Sequence, residues 1–95
     1  MYNVIISDQA NEDIDCQLEY ILRQFNNQQA IDAIIADIDE TLGYIEDNPY
    51  VFSDYDNNGQ KRAHLQRHRY KFIFSIFEEN KEVHINRFIH DLQDR

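Results

Sequence analysis

Two periodicities divide the chain. From residue 10 to residue 25, apolar side chains fall at Ala10, Ile14, Leu18, Ile21, Leu22 and Phe25, in steps dominated by three and four. That spacing predicts a helix over roughly 9–25 with one apolar stripe. Ser7 or Asp8 is placed to cap it, and Asp8, Glu12 and Asp13 suit the positive end of a helix dipole. Asn26-Asn27 breaks the pattern. Helical spacing resumes at Ala30, Ile31, Ile34, Ile35, Ile38, Leu42 and Ile45, predicting a second helix over roughly 28–46. Asp32, Asp39, Glu40 and Glu46 occupy its opposite face, and Asp47-Asn48-Pro49 ends it. A link this short makes the pair a helical hairpin.

Elsewhere the period is two. Residues 1–6 read as a short strand. Residues 67–77, rich in aromatic and β-branched side chains, read as the central strand. Alternation puts Arg67, Arg69 and Lys71, then Ile73, on one face, and His68, Tyr70, Phe72, Phe74 and Ile76 on the other. The first half of that strand therefore carries a basic comb, and the second half is apolar on both sides. Residues 61–66 are expected to form a strand leading into it, 77–81 a hairpin turn, and 82–89 the last strand. In that last strand Val83, Ile85, Arg87 and Ile89 alternate with Glu82, His84, Asn86 and Phe88. Residues 50–60 read as an irregular loop and 90–95 as a short polar tail. The order β-α-α-β-β-β defines an α+β fold, a single domain over 1–95. Its N-terminal hairpin is expected to pack on one face of a small, mainly antiparallel sheet. The other face is left half open for Arg67, Arg69 and Lys71.

Charge sharpens this picture. The chain carries a formal net charge of −9. Residues 1–60 hold thirteen acids and one base, Arg23, whereas residues 61–95 hold eight bases and five acids. Two surfaces of opposite character suggest different partners. General nucleic-acid binding is disfavoured, since phosphate affinity grows with the number of cations presented. No apolar run is long enough to span a membrane, and the N-terminus lacks a signal-peptide pattern. Cys16 is alone, so no internal disulfide forms, and a cytoplasmic location is expected.

Other chemistry is sparse. His64, His68, His84 and His90 lack zinc-site spacing, so no metal is expected. Cys16 sits between Asp15 and Gln17 in an acidic helix, a setting that does not activate a thiol. The stretch Asp54-x-Asp56-Asn57-Asn58-Gly59 lacks the closing glutamate of a calcium loop. No glycine-rich phosphate loop or nucleophile elbow is present, and no cofactor is expected.

Taken in order, several marks make the chain similar to toxins of the RelE/ParE superfamily from bacterial type II toxin–antitoxin modules. Tyr2-Asn3-Val4-Ile5-Ile6-Ser7 with Ala10 and Asp13 resembles the family's first strand and helix entry. Leu42 with Asn48-Pro49 resembles the end of its second helix. Arg69-Tyr70-Lys71-Phe72-Ile73-Phe74 is similar to its central strand, and Val83-His84-Ile85 through His90 to its last strand and the histidine after it. The resemblance implies the βααβββ arrangement and a cognate antitoxin as partner. That antitoxin is expected to lay a helix or strand on apolar surface around the hairpin or on an edge strand, with a basic pocket attracting an acidic segment.

The superfamily divides by target. ParE-like members inhibit growth through DNA gyrase without being enzymes; RelE-like members cut mRNA on the ribosome by metal-free phosphoryl transfer, which requires a base, an acid and cations for the phosphate. On the RelE-like alternative, Arg69 or Lys71 stands where the phosphate-binding arginine lies, and His90 is the acid or base. The binding surface is expected to include Arg67, Arg69, Lys71 and Arg87. Gln93 stands where the family carries an arginine, and the terminal tyrosine of many RNA-cutting members is absent. These departures, the acidic balance and the two long helices rank the ParE-like reading first. A non-toxic homologue that retains antitoxin binding is the third reading.

Overall fold

A computed structural model of the chain describes residues 1–93; Asp94 and Arg95, the end of the predicted polar tail, lie outside the described residues. Strand β1 (Asn3–Ile6) leads through Ser7 into helix α1 (Asp8–Phe25). The Ser7 hydroxyl accepts from the Ala10 amide at 3.0 Å, capping the helix as its sequence position predicts. The two asparagines that follow α1 divide the work of turning the chain. Asn26 adopts a left-handed conformation (φ 44°) and its N–H closes on the Leu22 carbonyl. Asn27 caps helix α2 (Gln28–Asp47), its side-chain oxygen accepting from Gln29 and Ala30. A short 3-10 turn, Pro49–Val51, with Pro49 buried, ends the hairpin.

The remaining chain forms β2 (Ser53–Asp54), β3 (Gln60–His64), β4 (Tyr70–Phe77) and β5 (Glu82–His90), followed by a 3-10 turn at Asp91–Gln93. The five strands form one sheet in the order β1-β5-β4-β3-β2. Only β1 against β5 is parallel; the other pairings are antiparallel. The expected α+β architecture holds, with one addition. The segment 50–60, expected to be wholly irregular, contains the two-residue β2, which pairs Ser53 with Arg62 and Asp54 with Lys61. Two residues are too few for an alternation to show. Within the same segment the Asp56 carboxylate accepts from the Asn58 and Gln60 amides, so it shapes the turn.

The core lies between the hairpin and one sheet face. Phe72, Phe74, Val83, Ile85 and Phe88 meet Ala10 and Ile21 of α1 and Ile31, Ile34, Ile38 and Ile45 of α2. The ring of Phe88 stacks on Tyr70 and lies tilted against Phe72, each with centroids 5.0 Å apart. Burying each such ring is worth about 2–3 kcal/mol. The apolar alternation of β4 is as expected: Tyr70, Phe72, Phe74 and Ile76 face the helices.

Two sequence expectations are corrected. The first concerns the basic comb. Arg67, His68 and Arg69 are not in the central strand; they belong to the loop 65–69 between β3 and β4. Asp37 of α2 draws the backbone away from the ladder by accepting from the amides of Gln66 (3.0 Å) and Arg67 (2.9 Å). The second concerns β5. Ile73 is opposite Arg87 but Phe74 is opposite Ile85, so Asn86 is an extra residue, a β-bulge. The bulge resets the alternation: Val83 and Ile85 face the helices before it, and Phe88 and His90 after it. Arg87 and Ile89 are thereby moved off the face they would share with Val83 and Ile85. The Asn86 amide nitrogen donates to Gln60 Oε1 at 2.8 Å and Ser75 Oγ at 2.9 Å, which ties the bulge to the two neighbouring strands.

Candidate functional site

The sheet face turned away from the helices gathers cations from three strands. Cross-strand register forms one row from Arg62, Ile73 and Arg87, and the next from His64, Lys71 and Ile89. Residues directly opposite in a ladder share a face, so the two rows are neighbours. Lys71 is only 5% exposed, an uncommon position for a lysine. His64 Nδ1 lies 3.3 Å from Asp91 Oδ1. Among the described residues, the side chain of Arg62 makes no hydrogen bond or ion pair. Such a surface can hold an anion or an acidic protein segment.

The loop 65–69 is a second basic element, held from the opposite direction. Asp37 has a fully buried side chain; besides the two amides, it meets His68 Nδ1 at 2.7 Å. Burial alone would raise its carboxyl, but the hydrogen bonds from His68 and from the Arg67 and Gln66 amides outweigh it and hold the group below its ordinary value. Both terminal nitrogens of Arg67 donate to Glu40 Oε2, at 3.2 and 3.1 Å. The Arg69 carbonyl accepts from the Asp91 amide, while its side chain is exposed and, among the described residues, makes no hydrogen bond or ion pair.

Arg87 is engaged as well. Asp13 of α1 takes its Nε at 2.7 Å and the Phe88 amide at 3.1 Å, closing the strand edge just past the bulge. Here too burial raises the carboxyl, and the bonds from Arg87, Phe88 and Gln9 overcome it, leaving Asp13 lowered. His90 is on the helix side of the sheet. Its ring meets Tyr70 edge-on at 5.0 Å, and its Nδ1 accepts from the Leu92 amide at 3.1 Å. Gln17, Tyr20, Tyr70 and His90 line an open pocket of about 420 Å³. Tyr70 donates its hydroxyl to Gln17 Oε1, and burial raises its pKa.

The residues anticipated from the sequence therefore fall in three places. Lys71 and Arg87 share the outer sheet face, Arg67 and Arg69 are in the loop, and His90 lies on the other side of the sheet from Lys71. Sequence reading overlooked Asp37 as the anchor of that loop and Arg62 as a member of the cationic face. One signal for Asp37 was available: it stands three residues from Ile34 and four from Thr41, beside the buried stripe of α2. Among the described residues there is no group of three or more potential metal ligands, and no helix is long and apolar enough to cross a membrane.

Asp13 and Asp37 also predict a pH dependence. Unfolded aspartates titrate near about 4. Both folded values are lower, so the unfolded chain binds protons first as the pH falls. Their contribution to stability is complete above the ordinary aspartate range and is lost as pH drops through about 4 toward the folded values. Urea midpoints are expected to be level from about pH 7 to 5 and to fall below about pH 4. Asp37→Asn and Asp13→Asn should each flatten that fall; an unchanged slope in both would contradict the assignment.

The fold occurs in solved structures. A chain of the chromosomal ParDE TA system from P. aeruginosa superposes with a TM-score of 0.79, covering 95% of this chain and 96% of that one at 18% identity. A chain of the toxin–antitoxin complex RelBE2 from Mycobacterium tuberculosis superposes with a TM-score of 0.62, covering 94% and 90% at 20% identity. No family model matches the sequence. None of the curated proteins searched matches it either. The shared property is thus the fold, over nearly the whole length of each chain.

Proposed function

We propose that this protein is the toxin of a type II toxin–antitoxin module, of the ParE-like kind, which inhibits growth through DNA gyrase and is neutralised by a cognate antitoxin. The observation that carries the reading is the end-to-end likeness to a chain of a ParDE system, at a TM-score of 0.79. Three features support a protein-contact mechanism over catalysis. Arg67 and Arg87 are already paired with Glu40 and Asp13. His90 and Lys71 project from opposite faces of the sheet. The net charge of −9 opposes approach to a dense phosphate surface at long range, although salt screens this beyond ~8 Å. The gyrase-contacting surface on this reading is the C-terminal, basic half of the chain.

One observation favours a second reading, ribosome-dependent mRNA cleavage. Arg62, Lys71 and Arg87 come together on one sheet face, as stabilisation of a crowded phosphate requires. Pulse-labelling after induced expression in bacteria separates the two. The proposal expects thymidine incorporation to fall first and amino-acid incorporation later, with growth restored by co-expressing the adjacent gene. An immediate fall in amino-acid incorporation with cleaved transcripts would replace it with the nuclease reading. Unaffected growth would leave only antitoxin binding.

A further inference from the structure

Each helix of the hairpin is engaged on one flank. On α1, Asp13 and Gln17 reach toward β5 and β4, through Arg87 and Tyr70. On α2, Asp37 reaches toward the loop 65–69. The helices run antiparallel, side by side on the sheet, so their other flanks face one another. Along those flanks the sequence keeps steps of three and four. On α1 the stripe is Asp15, Leu18, Leu22 and Phe25; on α2 it is Asp32, Ile35, Asp39, Leu42 and Glu46. Leu18 and Leu42 pack against the core from the floor of the groove between them. Above them, Leu22 is 43% exposed, Ile35 39% and Phe25 67%. The two helices therefore leave apolar surface uncovered between them.

The rim of this groove has one sign. Asp15 lies on one bank, and Asp32, Asp39 and Glu46 on the other. From residue 8 to residue 47 there are eleven acids and a single base, Arg23, which is paired with Glu19. An apolar floor between acidic banks excludes an acidic occupant by repulsion and favours one with the opposite charge. A second copy of this chain would set acidic bank against acidic bank. The span from Asp32 to Glu46 is four helical turns, roughly 21 Å, which matches one amphipathic helix of about 14 residues.

We propose that the groove between α1 and α2 receives a basic amphipathic helix of a partner protein, with apolar side chains on Leu22 and Ile35 and lysines or arginines against the two banks. This names the chemistry of the neutralising partner, and in that respect it rests on the function proposed above. The acidic antitoxin segment expected from the sequence concerns the basic pocket, a different part of the surface.

The test uses the purified full chain and two labelled helical peptides of about 15 residues. Both have leucines on one face; one carries lysines on the flanks, its twin glutamates. Fluorescence anisotropy should show the lysine peptide binding at least about 30-fold tighter, with affinity falling as salt rises. Leu22→Ser with Ile35→Ser should weaken that binding about tenfold or more. Because this pair could disturb packing, a second variant, Asp32→Lys with Asp39→Lys, alters only exposed positions and should invert the peptide preference. Equal binding of both peptides, no binding of either, or lysine-peptide binding indifferent to both variants would overturn the proposal. The assay involves no cell, so its failure is separate from that of the toxin reading. Loss of toxicity with the lysine preference intact sinks only the function. Neutralisation by the adjacent gene product together with a glutamate preference sinks only the basic partner.

Discussion

Replacing Asp37 with alanine is expected to destabilise the protein by about 3 kcal/mol and to lower its melting temperature by roughly 15 °C. The side chain is fully buried and serves three groups at once: the amides of Gln66 and Arg67 and the ring of His68. Truncation removes the acceptor and leaves two backbone donors in a site with no substitute, which is the expensive half of losing a hydrogen bond. Asp37→Asn keeps the shape but brings its own N–H₂ against the same donors, so it should recover only part of the loss. Hydrogen exchange provides the local readout. The amides of Gln66 and Arg67 should lose protection in the alanine variant, while those of the β4–β5 ladder change only with global stability. A melting temperature within about 3 °C of the parent would show that the loop is held by other contacts.

Deleting Asn86 is expected to keep the register of the β4–β5 ladder and to cost only about 1–2 kcal/mol, the worth of the bonds it makes to Gln60 and Ser75. Without the extra residue the ladder regains strict alternation. The faces on either side of the deletion are unchanged: Ile85 stays opposite Phe74 and Arg87 opposite Ile73, so Phe88, 1% exposed, stays in the core. Expelling that phenylalanine would instead cost about 3–5 kcal/mol. Asn86→Gly keeps the count and removes only the bonds to Gln60 and Ser75, for which about 1–2 kcal/mol is expected. Chemical denaturation of the two variants therefore separates residue number from residue chemistry. A loss of about 4 kcal/mol or more in the deletion alone would show that the ladder does not close as the register requires.

Both predictions concern places where local pattern was insufficient. The helices were legible because Ile14, Leu18 and Ile21, and likewise Ile31, Ile34, Ile38 and Ile45, mark a period that the backbone itself imposes. The inward face of β4 was legible for the same reason: Tyr70, Phe72 and Phe74 alternate without interruption. The candidate site was less so. The run Arg67-His68-Arg69 continues the composition of the strand after it, and nothing nearby in the sequence says that the strand begins only at Tyr70. Arg62 drew no notice because its neighbours on the cationic face, Lys71 and Arg87, come from two later strands.

The chain by itself thus determined the two amphipathic helices, the hairpin they form, the apolar face of the central strand and the separation of acidic from basic halves. These are consequences of local geometry and of counting, and they hold before any distant contact forms. Tertiary structure alone decided where the basic residues stand. Asp37 captures backbone 29 and 30 residues away, Asp13 closes an edge 74 and 75 residues away, and Asn86 shifts the register against β4. A carboxylate on a helix is equally satisfied by water or by amides until folding removes the water, and which amides it then meets is set by the packing of the whole domain.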